Sequence, residues 1–420
     1  MMENFERYGE YRESGFRWLE EIPVDWKIIR VKFLFSERIE KGFSEKPLLA
    51  ATQSQGVIKK ENFDTRTVTA QKDFHLLKLV KAGDFVISLK SFQGGIEIAH
   101  EEGIISPAYT IMIPSSKLDG DYIKHLFKSN FFILSLNRFV TGIREGQNID
   151  YKKFKNSFLP VPNLATQQSI ANFLDQKTQQ IDHFIQLKEK TIALLEERKA
   201  AIINQAVTKG LDSNVPMKDS GIEWLGEIPE HWEVKKLKYC SKIVYGISPH
   251  ESTYNIKGEG TVLVNGPAEY STEDFGETRS IKWTTNPVKF AKKGDLLFCL
   301  RGSTTGRLNI CHQDLSIGRG CAALSSSMDK QFFINAIRAL KDRIIDTFQG
   351  STFPSVTSSD LNNYSIAIPH RREQQLISSH IYEVEQKIDL SITNIQTQIT
   401  LIKEYRASLI SAAVTGKIKV

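Results

Sequence analysis

One pattern occurs twice in the chain. SGFRWLEEIPVDW at 14–26 returns as SGIEWLGEIPEHW at 220–232, 206 positions later. Pro162, Gln167 and Gln168 return as Pro369, Gln374 and Gln375, and Ala206-Val207-Thr208 as Ala413-Val414-Thr415, both 207 positions later. That period is far longer than a solenoid repeat and fits a duplicated domain. The fold must therefore be two versions of one framework, suited to holding two related sites. Lys81-Ala82-Gly83-Asp84 and Lys292-Lys293-Gly294-Asp295 mark the same turn before the same strand, 211 positions apart, so the second copy gains about five residues before it. Loops change length where partners differ, while frameworks hold.

Each copy is long enough to bury a core, and 40% hydrophobic with 25% charged residues is ordinary globular composition. A net charge of +6 fits a polyanionic partner without requiring one. Glu3, Glu6, Glu10 and Glu13 interrupt the first thirty residues, so no signal peptide is expected; no apolar run is long enough for a membrane span. Cys240, Cys299, Cys311 and Cys321 all fall in the second copy, without a C-x-x-C. A zinc site would be expected in both copies, so reduced structural thiols and a cytoplasmic location are expected instead.

Alternating runs broken by turn residues predict strands of a mixed α+β domain: LLKLVKAGDFVISL (76–89), GIISPAYTIMI (103–113), VKFAKKGDLLFCL (288–300) and SIGRGCAALS (316–325). A helical stretch follows in each copy, 121–140 and 330–348. Each copy then ends in a long helix, at 165–208 with Asn163 or Thr166 as its cap, and at 371–414. Ile170, Leu174, Ile181, Ile185, Ile192, Leu195, Ile202 and Ala206 form a seam on the first. Ile377, Ile381, Val384, Ile388, Ile392, Ile395, Ile399, Ile402 and Leu409 form one on the second. These are coiled-coil seams on rods of roughly 60 Å. Pairing them antiparallel would cover both seams and place the globular parts at opposite ends. The expected divisions are 1–162, globular; 163–210, central long helix; 211–369, globular; and 370–420, C-terminal long helix.

Signs of catalysis within the chain are weak. An adenine-methylation loop needs Asn or Asp, then Pro-Pro and an aromatic; Asn286-Pro287-Val288-Lys289 lacks the second proline and the ring. No glycine-rich turn suits S-adenosylmethionine, and GSTTGR (302–307) lacks the spacing and lysine of a phosphate loop. The nine histidines show no ligand spacing. Asp84 and Asp295 precede strand residues rather than a nuclease lysine and read as turn-closing. No catalytic or metal-binding residue is assigned.

The repeated W-L-x-E-I-P-x-x-W opening, the Pro162 and Pro369 entries with their Gln-Gln pairs, and the A-V-T helix ends resemble the DNA-specificity subunit of type I restriction–modification systems. SPAY (106–109), IGRG (317–320) and GSTFPSVTSSDLNNYSIAIP (350–369) add to the likeness, which spans essentially the whole chain. One departure is that GIREGQNIDYKKFKNSFLPVP (142–162) matches the second copy only from about Lys153. The resemblance implies two target recognition domains, 1–162 and 211–369, each reading half of a split double-stranded DNA target. It implies two methyltransferase (modification) subunits as partners, joined by motor-and-nuclease restriction subunits. S-adenosylmethionine, ATP and Mg would belong to those partners, with no cofactor in this chain. Half-sites about one turn apart, roughly 34 Å, would present the same face of the duplex.

Phosphates are bound mostly by Lys and Arg, and base edges are read by Arg, Lys, Asn, Gln, Ser and Thr. In the first copy Lys59, Lys60, Arg66, Lys90, Ser91, Gln93, Arg144, Gln147 and Asn148 are the expected DNA contacts. In the second they are Lys282, Arg301, Ser303, Thr304, Thr305, Arg307, Arg319 and Ser351. Trp18, Trp26, Trp224 and Trp232 lie in the shared framework and read as packing anchors or partner contacts rather than base-stacking residues. Two rival readings are a stand-alone DNA methyltransferase and a coiled-coil scaffold without DNA contact. Missing catalytic motifs weigh against the first, and the divergence of the two middles against the second. An orphan specificity subunit without a nuclease is a narrower variant.

If the helices set the separation of two half-sites, deleting four residues from 165–208 shortens the rod by about 6 Å and turns its outer end by ~40°. The methylated motif in cells is then expected to keep both half-sites with a spacer shorter by about two base pairs at ~3.4 Å each. Sequencing of modified adenines checks it, and an unchanged spacer would remove the helices as the ruler.

Overall fold

The computed structural model describes residues 5–420 except 54, 64–72, 143–146, 272–274, 303 and 347–354. The chain divides into unit 1, Met1–Glu189 with Gln396–Val420, and unit 2, Lys190–Ile395. Four helices matter most: α1 (Gly120–Lys128), α2 (Leu164–Lys209), α3 (Lys330–Asp346) and α4 (Arg371–Val414). Each long helix, α2 and α4, begins in one unit and ends in the other.

Unit 1 is built on strands β1 (Phe35–Arg38), β2 (Phe85–Ile87), β3 (Glu97–Ile98) and β4 (Thr110–Pro114), in the antiparallel order β1-β4-β2-β3. Phe85, Val86 and Ile87 are all buried, as expected of a central strand covered on both faces. On one face α1 buries Tyr122, Ile123, Leu126 and Phe127, and the Phe127 ring stacks on Phe132 at 4.8 Å. Asp119 caps α1 by accepting the Tyr122 N–H at 2.9 Å. Lys27–Arg30 pairs with Phe158–Val161, and the hairpin of Tyr11–Glu13 with Glu21–Pro23 leads to the buried Trp26.

The expected helix over 121–140 is instead α1 and a second helix, Asn130–Leu136. Ser129 between them is extended, and its hydroxyl donates to the Leu126 carbonyl at 2.8 Å, satisfying a helix-end acceptor. The second copy has no such break and forms the single helix α3.

Unit 2 repeats the frame with β5 (Lys242–Tyr245), β6 (Leu296–Cys299), β7 (Leu308–Ile310) and β8 (Cys321–Ser325) in the order β5-β8-β6-β7. Glu233–Lys236 pairs with Ser365–Ile368, and Met217–Asp219 with Glu227–Pro229, as in unit 1. Unit 2 adds a five-stranded sheet in which Thr261–Val264 and Leu315–Ile317 run parallel. Its core includes Cys299, Cys311 and Cys321. Burial pushes the Cys321 thiol up to about 12 and the Cys240 thiol up to about 11, so both stay protonated and unreactive.

Both long helices match their expected ranges within a residue. Asn163 caps α2, its Oδ1 accepting the Thr166 N–H at 2.9 Å. In unit 1, Asp182 pairs with Arg406 at 3.2 Å and Glu189 with Lys403 at 4.0 Å, so the helices run antiparallel there. In unit 2, Lys199 pairs with Asp389 at 2.8 Å while Ile203, Ala206 and Val207 share a core with Ile377 and Ile381, the same sense. Exposed ion pairs add little stability; the buried seam sets the register. Ile185, Ile388, Ile392 and Ile399 are each under a tenth exposed.

The repeated opening motif seats the end of a long helix. α4 closes in a Schellman turn, with the Lys417 N–H on the Ala412 carbonyl at 2.8 Å and Gly416 at φ +72°. A Cβ on Gly416 would lie 2.5 Å from the Pro23 ring and 3.2 Å from Trp26. At the end of α2 in unit 2, Gly210 at φ +78° likewise lies against Trp232 and Pro229. Trp26 and Trp232 are 1% and 0% exposed, which makes them packing anchors.

The repeated glutamines are straps. Gln167 accepts the Asp119 N–H at 2.8 Å and donates to the Pro162 and Lys117 carbonyls at 2.9 and 3.0 Å. Gln374 accepts the Asp329 N–H at 2.8 Å and donates to the Pro369 carbonyl at 2.9 Å. Each joins the strand exit, the cap of a domain helix and the first turn of a long helix. Gln167→Ala or Gln374→Ala leaves these buried groups unpaired and is expected to cost about 2–4 kcal/mol. Chemical denaturation of each variant checks this; a change under about 0.5 kcal/mol would exclude the strap.

Candidate DNA-recognition surfaces

In unit 1 the run 88–95 leaves β2 and forms the one-turn helix Ser91–Gly94. Lys90 and Gln93 are exposed on it. Ser91 is 1% exposed, and its Oγ accepts the Ser88 N–H at 2.9 Å, so it closes the turn and does not face outward as expected. The turn packs beside Asn148–Ile149, which brings Lys90 and Gln93 into one neighbourhood with Gln147 and the exposed Asn148. Gln53, not singled out in the sequence, is exposed with its side chain against Gly94. Its one signal was its place in a polar QSQG turn between two strands. Lys59 ends the strand Gly56–Lys59 and pairs with Glu101 at 3.1 Å, and Lys60 opens the following 3-10 turn. Arg66 and Arg144 lie outside the described residues.

In unit 2 the equivalent run 299–307 is the turn of the β6–β7 hairpin. Arg301 is exposed and Thr304 half-buried. Thr305 is 9% exposed and donates its hydroxyl to the Gly302 carbonyl at 2.8 Å. The Arg307 guanidinium donates to the Ser271 carbonyl. Lys282 pairs at 2.9 Å with Glu269, whose carboxylate is 3% exposed, so its charge serves to neutralise a buried acid. Thr305, Arg307 and Lys282 thus depart from the expected outward role. A tight turn must first satisfy its own N–H and C=O groups, and a buried carboxylate must find a cation. Arg319 is exposed. Ser303 and Ser351 lie outside the described residues.

Arg301 and Arg319 share a cleft of about 510 Å³ with Tyr245, Leu300, Val356 and Ser358. Neither has an acidic partner among the described residues. By contrast, Asp84 and Asp295 are fully engaged in closing their turns. Asp84 accepts the Lys81 N–H at 2.8 Å and takes a fork from Arg38 at 2.7 and 3.1 Å. Asp295 accepts the Lys292 N–H at 2.8 Å. Among the described residues no three His, Cys, Asp or Glu side chains converge to hold a metal ion, and no helix is long and apolar enough to cross a membrane.

The chain is thus a duplicated α+β frame with long antiparallel helices and polar, partly cationic loops. Residues 229–401 match the family model of the type I restriction modification DNA specificity domain. The MjaX type I restriction enzyme specificity subunit of Methanocaldococcus jannaschii is 28% identical over 442 residues, covering 98% of each chain. The MjaVIII specificity subunit of the same organism is 24% identical, covering 98% of this chain and 97% of its own. Among solved structures, the HsdS subunit from Thermoanaerobacter tengcongensis shares the fold with a TM-score of 0.58 at 18% identity, covering 97% of this chain and 100% of that one. A chain from a structure addressing complex assembly of the type I R-M system reaches 0.73 at 17% identity, covering 94% and 98%. Along nearly its whole length the chain is similar to these specificity subunits of type I restriction–modification systems.

The equivalent aspartates should differ in their energetic roles. Asp84→Ala removes the forked partner of the buried Arg38, leaving it only the half-exposed Glu40 at 2.6 Å, and is expected to cost about 3 kcal/mol. Asp295→Ala loses one turn hydrogen bond, about 1 kcal/mol. Denaturation midpoints of the two variants decide it, and equal losses would contradict the assignment.

Proposed function

We propose that this chain is the DNA-recognition subunit of a type I assembly and reads a bipartite duplex target, one half-site per unit. The recognition domains are 1–162 and 211–369, and the helices within 163–210 and 370–420 are the framework on which modification subunits, and restriction subunits with them, are positioned. The observation that carries this reading is one strand order built twice with unlike additions. The order β1-β4-β2-β3 recurs as β5-β8-β6-β7, while among the described residues only unit 2 carries the five-stranded sheet. A constant frame suits identical partner subunits; differing edges suit unlike half-sites.

Lys90, Gln93, Asn148 and Gln53 are the contacts proposed for unit 1, with Arg301, Thr304 and Arg319 for unit 2. Chemistry belongs to the partners, which bring S-adenosylmethionine, ATP and Mg to DNA in the cytoplasm. Native mass measurement of the co-purified complex tests the reading. Two modification subunits per chain are expected, with methylation of DNA only by the assembly. A stable one-to-one complex with full activity, or methyl transfer by the isolated chain, would overturn it.

A further inference from the structure

Unit 2 holds two exposed arginines on one cleft. The β6–β8 register sets Phe298 opposite Ala322 and Cys299 opposite Cys321, and the Leu300 N–H then meets the Gly320 carbonyl at 2.8 Å. Just beyond that ladder, Arg301 follows β6, and Arg319 lies in the turn Gly318–Cys321, closed by the Cys321 N–H on the Gly318 carbonyl at 3.0 Å. Both are exposed and both line the cleft of about 510 Å³. Two cations on one cleft, with no acidic partner among the described residues, suit a ligand edge rich in acceptors.

The backbone holds both in place. The Arg319 N–H donates to Ser248 Oγ at 3.1 Å, and that hydroxyl donates to Asn265 Oδ1 at 2.7 Å. The flanking Gly318 and Gly320 press so closely on Asn265 that a Cβ would lie 1.8 and 2.7 Å from its atoms. Arg301 forms a bridge with Ser355 on its other side. In unit 1 the segment after β2 carries Lys90, whereas Ser106, Pro107, Ala108 and Tyr109, which lead into β4, supply no second cation. The arginine pair therefore belongs to what differs between the units, not to their common frame.

We propose that this cleft is a sequence-reading element of unit 2, in which Arg301 and Arg319 donate to the O6 and N7 acceptors of guanine in the major groove. The inference rests on the DNA-reading function proposed above. A base edge fits better than a phosphate because the cleft walls include Leu300, Val356 and Tyr245. The Tyr245 hydroxyl is already committed to the Ser358 carbonyl and Asn362 Oδ1, leaving its ring as wall. Arginine on guanine is the commonest specific contact in that groove.

The test uses the full assembly carrying Arg301→Lys or Arg319→Lys, which keep the charge but lose the planar fork. Sequencing of the methylated motif should show one position of the unit 2 half-site relaxed by about 5- to 150-fold, the equivalent of one lost bidentate contact. The unit 1 half-site should stay unchanged, which reports that the variant folds and assembles. An unaltered motif with uniformly weaker binding would instead mean phosphate contacts, and would overturn the inference. A wild-type assembly without a two-part motif would fail the DNA-reading function itself. Where a variant does not assemble, binding of the free chain to duplexes varied at each position of the unit 2 half-site decides, and an unchanged base preference would overturn the inference.

Discussion

One neutral carboxamide per unit fixes where the long helices start. Gln167 and Gln374 are 0% and 4% exposed, and each ties the start of its long helix and the strand exit just before it to a helix cap 48 or 45 residues earlier. Because the straps carry no charge, salt and pH act on them only weakly. That suits the DNA-reading function proposed above, since binding and release of a polyelectrolyte would move ions without disturbing the frame. In each unit this anchoring fixes where the long helix leaves the domain.

Repetition and periodicity made the frame legible. The seam spacing gave the long helices and their antiparallel sense, and the shared K-x-G-D turn located β2 and β6. The Trp/Pro motif was recognised as packing, but its seat for a glycine-terminated helix end was not, because that contact joins Trp26 to Gly416 across nearly the whole chain. The break at Ser129 was also hidden, since its flanks keep a helical pattern and one hydroxyl decides the outcome. Nor could the five-stranded sheet be read, as its parallel pair joins strands whose partnership depends on tertiary packing rather than local pattern.

Polar loop residues were the least legible part of the candidate site. Composition marked 88–95 and 299–307 as polar turns, but not which side chains the turns would use for themselves. Ser91 and Thr305 are spent on local hydrogen bonds, and Lys282 on a buried acid, whereas Arg301 and Arg319 have no such obligation among the described residues. A side chain is free to read a ligand only after the demands of its own backbone are met. The surface that remains in unit 1 is mostly amides with one lysine; in unit 2 it is mostly guanidinium. The difference lies in donor chemistry as much as in shape.

The division of the helices also orders the chain's synthesis. Unit 2 is one continuous stretch, Lys190–Ile395, whereas unit 1 includes Gln396–Val420. Leu409, Ile410, Ala413 and Val414 lie in the core that also holds Trp26 and Tyr122. The N-terminal copy leaves the ribosome first but lacks part of its core until the final residues arrive, while the second copy already has every segment it needs. Translation thus runs N to C, but the units become complete in the opposite order, and a chain truncated near its end would leave its earliest-made unit open.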